Sequence, residues 1–316
     1  MQNRYRIRLF YVGCMLLAAA GLSVFAGCGK GEARWEKQIT EEEIVLEGIS
    51  QEYELLFLTD THMIVIDEED SAKITANARS RISQFKNTEG VSSAHQFDEW
   101  IEYANAEEVD GVLFGGDIID YPSRSNIAYL EKQLELLTMP YLYALGNHDW
   151  TYPWEYMTEF GEDKYLPLLE PYMKGDTFIH THDFGDFLVV AVDNSTNQVN
   201  EEVLEEYEEV LAMGKPVILM AHVPFLTQSV LTKAKTAWKQ PVVIGGGNYG
   251  GIYPDENSTR FLELTTAADS PVVAVLAGHV HYYDKDYIDG EKDVIQIVGD
   301  AGFRGSAILL HIKPQT

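Results

Sequence analysis

The residues that could do chemistry in this chain stand just beyond short apolar runs. Leu55-Leu56-Phe57-Leu58 leads into Thr59-Asp60-Thr61-His62, and Val112-Leu113-Phe114 into Gly115-Gly116-Asp117-Ile118-Ile119-Asp120. Tyr141-Leu142-Tyr143-Ala144-Leu145 leads into Gly146-Asn147-His148-Asp149, and Val217-Ile218-Leu219-Met220 into Ala221-His222. Val272-Val273-Ala274-Val275-Leu276 leads into Ala277-Gly278-His279-Val280-His281. A short apolar run that stops at glycine or a small polar residue reads as a buried strand ending in a turn. In open α/β sheets, ligands gather beyond the carboxyl ends of such strands.

Asp60, His62, Asp117, Asn147, His222, His279 and His281 together offer two carboxylates, one amide oxygen and four imidazoles. Imidazole mixed with oxygen suits zinc, iron or manganese better than calcium or magnesium. Seven protein donors are too many for one catalytic ion that must keep a position open. They suit two divalent ions sharing a bridging carboxylate. On extended chain, the first and third residues of Asp60-Thr61-His62 and of His279-Val280-His281 would point to the same side. No thiolate takes part: the chain has two cysteines, Cys14 and Cys28, both near the amino end. Cysteine-ligated zinc and a structural disulfide are therefore excluded from the rest of the chain.

The set resembles the calcineurin-like metallophosphoesterases. That family carries Asp-x-His, Gly-Asp-x-x-Asp, Gly-Asn-His-Asp/Glu, a lone His and Gly-His-x-His in this order. Here they stand as Asp60-Thr61-His62, Gly116-Asp117-Ile118-Ile119-Asp120, Gly146-Asn147-His148-Asp149, His222 and Gly278-His279-Val280-His281. The resemblance implies a four-layer α/β/β/α sandwich of two mixed β-sheets flanked by helices. It implies that Asp60, His62 and His281 hold one metal, that Asn147, His222 and His279 hold the second, and that Asp117 bridges them. His148 would face the substrate, with Asp120 orienting it. The implied activity is hydrolysis of a phosphomonoester or phosphodiester. A member that kept the fold for binding without turnover is the alternative. Asp120 is followed by Tyr121-Pro122 where the protein serine/threonine phosphatase branch has Arg-Gly, which points away from phosphoprotein substrates.

The elements that must position these residues alternate strand and helix, which argues a largely parallel arrangement within one domain over 50–316. Helical patterning is expected over 71–85, with Ser71 as N-cap, and over 97–108, 126–137, 201–213 and 258–268. A hairpin is expected over 177–192, and three strands over 282–288, 294–298 and 306–312. Residues 63–96 form a long insertion after His62, expected near the mouth of the site where it would set substrate choice. His180 and His182 read as hairpin surface, and His95 and His311 as structural. Trp150, Tyr152, Trp154 and Tyr156 read as packing, with a cage for a quaternary ammonium head group as the alternative. The glycine run 245–251 lacks the Lys-Ser/Thr of a phosphate-cradling loop and reads as a flexible rim offering Asn248 and Tyr249. No Gly-x-Ser-x-Gly elbow is present.

The first 28 residues differ in kind. Arg4, Arg6 and Arg8 precede an apolar stretch, which ends in small residues at Ala26-Gly27-Cys28. That order is the order of an export signal, expected over 1–27, with Cys28 acylated as a lipid anchor. An uncleaved span is the alternative, since the stretch is long enough to cross a bilayer. Residues 28–49 are polar and read as a tether with room for a first edge strand. The domain is expected outside the cytoplasm, held at the bacterial cell membrane. The formal charge is −27. Without residues 1–27, which hold three arginines and no acid, it is −30. Such a surface repels duplex nucleic acid, so a small phosphate ester must meet positive charge supplied locally.

Overall fold

The computed structural model describes residues 35–247 and 249–315. The export segment 1–27, the acyl site Cys28 and the rim residue Asn248 lie outside the described residues. The strands in chain order are β1 (Gln38–Leu46), β2 (Tyr53–Leu58), β3 (Gly111–Phe114), β4 (Tyr141–Tyr143), β5 (Ile179–Asp183), β6 (Leu188–Val192) and β7 (Val217–Ala221). There follow β8 (Val243–Ile244), β9 (Gly251–Ile252), β10 (Val272–Ala277), β11 (Asp284–Ile288), β12 (Val294–Val298) and β13 (Ser306–Pro314). The helices are α1 (Ala72–Ile82), α2 (Ser93–Ala106), α3 (Arg124–Leu134), the single turn α4 (Asn147–Trp150), α5 (Glu159–Leu169), α6 (Glu201–Leu211), α7 (Gln228–Ala237) and α8 (Glu256–Thr265). None of the described helices is long and apolar enough to cross a membrane.

Two mixed sheets form the centre. The first has the order β1-β13-β2-β3-β4 and the second β11-β12-β10-β7-β6-β5. Strands β2, β3 and β4 are mutually parallel, as are β6, β7, β10 and β12; β13 runs antiparallel to β2, and β5 and β11 run antiparallel to their neighbours. The expected parallel βαβ runs are thus present, divided between two sheets that also carry antiparallel members.

Strand periodicity explains the four layers. Leu55 and Phe57 of β2 face the second sheet and pack with Val189, Ala191, Ile218, Met220, Ala274, Leu276 and Ile297. Leu56 and Leu58 point the other way, onto Phe97, Trp100 and Ile101 of α2 and Leu130 of α3. On the second sheet, Val190, Leu219 and Val275 face outward onto Val203 and Tyr207 of α6 and Phe261 of α8. Because successive side chains alternate between faces, continuous apolar strands must be covered on both sides. That requirement produces helix, sheet, sheet, helix.

Every helix of ten or more residues opens on a capping side chain: Ser71, Ser92, Ser123, Thr158, Asn200, Thr227 and Asp255 each accept from a backbone N–H three residues on. These caps satisfy donors that the first turn leaves free. They also explain why α2, α3 and α8 begin two to four residues before the expected starts. The first turn is polar, so apolar periodicity begins later than the helix does. Helix α5, which contains Pro167, has weak patterning, and neither it nor α7 was expected.

The boundary expected at residue 50 moves toward the amino end. Gln38–Leu46 lies within the expected tether 28–49 and forms an edge strand parallel to β13, in register from Gln38 opposite Ser306 to Leu46 opposite Pro314. Ile44 and Leu46 enter the core between the sheets, while Glu41, Glu43 and Val45 face solvent. A run of three glutamates hides this alternation. Glu42 is buried and accepts from Tyr283 Oη and Lys285 Nζ, which ties this edge to the edge of the second sheet.

Asn194 follows β6 and clasps the chain beyond β7: its Nδ2 donates to Val223 O at 2.8 Å and its Oδ1 accepts Val223 N at 2.9 Å. Asn194 and Val223 are both buried. Replacing Asn194 by alanine leaves both backbone groups unpaired, and urea unfolding should show a loss of about 2–4 kcal/mol. An unchanged midpoint would mean that water takes over both bonds.

Candidate metal centre

Strands β2, β3 and β4 of the first sheet and β7 and β10 of the second deliver their carboxyl ends to one place. The chain there is held by backbone bonds between turns: Asp60 N to Gly116 O at 2.9 Å, His62 N to Asp117 O at 2.9 Å, and Gly278 N to His222 O at 2.9 Å. The expectation that the Asp-x-His and His-x-His pairs lie on extended chain is corrected. Asp60, His62, Asp117, His279 and His281 all have positive φ, between 42° and 68°. Asp, His and Asn tolerate this left-handed region better than most residues, but each instance costs of order 1–3 kcal/mol and persists only where the surroundings enforce it. Gly146 and Gly278 allow the turns to close. A Cβ on Gly146 would strike the backbone of Asp117, and one on Gly278 would strike Thr59 and Asp60.

Three donor clusters result. Asp60, His62 and His281 form one, with His281 Nε2 at 3.2 Å from Asp60 Oδ1 and from His62 Nε2. Asp117, His222 and His279 form another, with His222 Nε2 at 3.2 Å from Asp117 Oδ2. Asp117 Oδ2 is also 3.8 Å from His62 Nε2, so this carboxylate lies between the two groups. Asp117 also shares the third cluster, with His62 and His148. Asn147 opens α4, and its Oδ1 is buried with no hydrogen-bond partner.

The imidazoles are oriented from behind. His222 Nδ1 lies 2.8 Å from Gly115 O, and His62 Nδ1 lies 3.0 Å from Asp120 Oδ1. Such outer contacts fix which ring nitrogen faces a metal. His148 Nδ1 lies 3.1 Å from the Asp120 carbonyl and 3.3 Å from Asp120 Oδ1, while its backbone N–H donates to Asp117 Oδ1 at 2.7 Å.

Burial and charge act against each other throughout. Burial raises Asp60, but its hydrogen bond to His281 and the charges of His281 and His222 outweigh that and hold it at about 2. Asp117 is also held well below the usual carboxylate range, because nearby imidazolium charge overcomes its burial. Burial lowers His222, but Asp117 and Asp60 raise it to about 10. Burial also lowers His279, which with the charge of His222 sits at about 3. Without added cations the pocket therefore keeps a proton on His222 as its own positive charge.

Sequence reasoning missed three supporting residues. Asp149 stood within a motif but had no assigned role. Its carboxylate accepts the backbone N–H groups of Gly146, Asp117 and Ile119 at 2.8–3.1 Å and the Tyr143 hydroxyl at 2.7 Å, joining the turns after β3 and β4. Burial, reinforced by the charge of Asp117, pushes Asp149 up to about 7. Thr59 donates to Asp60 Oδ2 at 2.7 Å. Arg81, from the insertion, pairs with Asp120. One of two arginines in the last turn of an otherwise ordinary helix gave no signal.

Other candidates separate from the site. His180 is buried, with neither ring nitrogen bonded, which corrects its expected place on the surface; burial brings it down to about 4. His182 is half-buried beside Lys174. Tyr121, Tyr152 and Trp154 have ring centroids 5.1–5.5 Å apart and pack on one another, while Trp150 is buried and Tyr156 is exposed, so the four expected aromatics do not face one another as a cage. The acidic turn 67–70 is tied by Arg124, which pairs with Asp67 and Glu69.

The residues fit two divalent ions. The unpartnered Asn147 Oδ1, the four imidazoles and a carboxylate reaching both clusters are what an imidazole–oxygen dinuclear site needs. Asp60, His62 and His281 would hold one ion, Asn147, His222 and His279 the other, and Asp117 both.

The sequence model of the calcineurin-like phosphoesterases matches residues 53–283. No curated protein matches the chain. Among solved structures, a dimetal phosphatase from Danio rerio is similar at 13% identity and a TM-score of 0.49, over 80% of this chain and 88% of that one. A protein from Thermus thermophilus is similar at 10% and 0.43, over 80% and 91%. A phosphopantetheinyl hydrolase from Mycobacterium tuberculosis is similar at 13% and 0.38, over 81% and 88%.

Two outcomes are expected. Asp117→Asn should lower the occupancy of both ions in elemental analysis; loss of only one would show that Asp117 does not bridge. Metal uptake at neutral pH must expel the His222 proton, so affinity should rise with pH up to about 10. Calorimetric titration in buffers of different ionisation enthalpy should then show release of about one proton. A buffer-independent enthalpy would contradict the assignment.

Proposed function

Because the chain belongs to the calcineurin-like phosphoesterase family, we propose that it hydrolyses a small phosphate monoester or diester with two divalent ions held by these seven donors. The observation that carries this reading is the convergence of donors from five strands of two sheets on a pocket where Asp117 reaches both clusters. When bound, the ions supply Lewis acidity at phosphorus and make the attacking water acidic. The donor set favours manganese, iron or zinc.

The chain's own residues supply orientation and a proton. His148 presents Nε2, because its Nδ1 faces the Asp120 carbonyl and carboxylate. Without added cations, burial lowers His148, but Asp117 and Asp120 raise it to about 9. The Asp120 contact at Nδ1 favours the protonated ring, which suits His148 to protonate the leaving alkoxide. The edge contact between the His62 and His148 rings, with centroids 4.6 Å apart, keeps that proton beside the first donor cluster.

The strongly acidic surface favours a small substrate over a nucleic acid duplex. The order of basic, apolar and small residues before Cys28 supports acylation there and a place on the outer face of the cell membrane.

Purified protein supplied with Mn²⁺ should hydrolyse p-nitrophenyl phosphate or bis-p-nitrophenyl phosphate, and a chelator should abolish the activity. His148→Ala should retain both ions and lose about 10²–10⁴-fold in kcat. A protein that binds two ions and hydrolyses neither ester nor any of a panel of nucleotides, sugar phosphates and lipid head groups would defeat the proposal. Cys28→Ser should move the protein from the membrane fraction to the soluble fraction; unchanged fractionation would exclude the acyl anchor.

A further inference from the structure

Asp120 Oδ1 lies 3.0 Å from His62 Nδ1 and 3.3 Å from His148 Nδ1, so one oxygen serves both the ring of the first donor cluster and the ring that faces substrate. A carboxylate with two imidazoles on one oxygen can swing toward either. Its other contact comes from the insertion that sequence reading placed at the mouth of the site. Arg81, in the last turn of α1, donates from Nε to Asp120 Oδ2 and from Nη2 to Asp120 Oδ1, the latter at 2.7 Å. Asp120 is fully buried and the Arg81 side chain is 17% exposed. A forked, two-point contact of this kind fixes the plane of a carboxylate as well as its charge.

The same segment covers the far side of the site. Phe85 stacks on the His62 ring, with centroids 4.3 Å apart at 14°, and the Arg81 guanidinium lies 4.9 Å from the Phe85 centroid. Ala78 and Phe85 are buried with Tyr121 and Phe303, so the end of α1 is packed into the molecule.

We propose that Arg81 is a positioning residue for His148, acting through Asp120, and that the insertion after His62 is therefore part of the hydrolytic apparatus. This rests on the phosphoesterase reading above. Arg81 does not touch the reacting atoms. It clamps Asp120 with its face to His148, so that Nε2 of His148 stays aimed at the leaving group while His62 keeps its own ring fixed.

The effect expected of losing such an outer contact is about 10–100-fold. Arg81→Ala, Arg81→Gln and Arg81→Lys are compared, each with metal content measured. Arg81→Ala should keep both ions, lower kcat about 10–100-fold and leave KM within about threefold. Added guanidinium should restore part of the lost rate. Arg81→Lys should restore less than guanidinium, because an ammonium cannot hold both oxygens in one plane.

A second readout needs no turnover. In Zn²⁺-loaded protein, long-range ¹H–¹⁵N spectra should show the His148 ring resonances displaced in Arg81→Ala and returned by guanidinium, with Arg81→Gln serving if the alanine variant does not fold. Unchanged His148 resonances, unchanged kcat, or a rise in KM at constant kcat would each overturn the proposal, the last by making Arg81 a substrate contact. Loss of metal cured by excess metal would overturn it too, by assigning Arg81 to His62 alone. If the native protein hydrolyses nothing, the phosphoesterase reading fails, while the spectra still decide whether Arg81 governs His148.

Discussion

Four carboxylates share one buried pocket: Asp60, Asp117, Asp120 and Asp149 are each at most 1% exposed. A carboxylate removed from water must be paired, bonded or protonated. Each of the four meets this demand differently. Asp120 has the Arg81 fork, and Asp149 has three backbone N–H groups, a tyrosine hydroxyl and a raised pKa. Asp60 accepts Thr59 Oγ1 and the backbone N–H of His279. Asp117 accepts one N–H from His148 and turns its other oxygen toward His222 and His62. It is the carboxylate whose charge is met chiefly by imidazoles, which is where a shared pair of cations fits.

The two-sheet frame makes this crowding tolerable. Apolar alternation packs β2 and β3 of one sheet against β6, β7 and β10 of the other and brings the carboxyl ends of both parallel runs to one rim. The Asp60 carboxylate then accepts the His279 N–H across the gap between the sheets. Five donors at positive φ are a sizeable local cost, of order 1–3 kcal/mol each, that only a large surrounding core can enforce. Bound ions would return part of that cost by binding the folded state alone.

Charge on the whole molecule and charge at the site have opposite tasks. A formal charge of −27 keeps polyanions away from the surface. Inside, Arg81, His148 and His222 gather positive charge around the carboxylates. The insertion that carries Arg81 thereby contributes to the electrostatics of the centre as well as to its cover.

The seven candidate donors were legible in the primary order, because each follows an apolar run and their types suit one kind of chemistry. The Ser71 cap and the largely parallel order of strands and helices were legible for the same reason: they are local patterns with fixed periods. The extent of β1 was obscured by glutamates on its solvent face, and the early turns of α2, α3 and α8 by their polarity, since a pattern that reads burial cannot see what stays wet. The tertiary structure alone decided that the donor turns are left-handed rather than extended, and that Arg81 reaches Asp120 from 39 residues away in sequence. Those are matters of distance between segments, and the order of residues along a chain specifies which groups exist long before it specifies which of them touch.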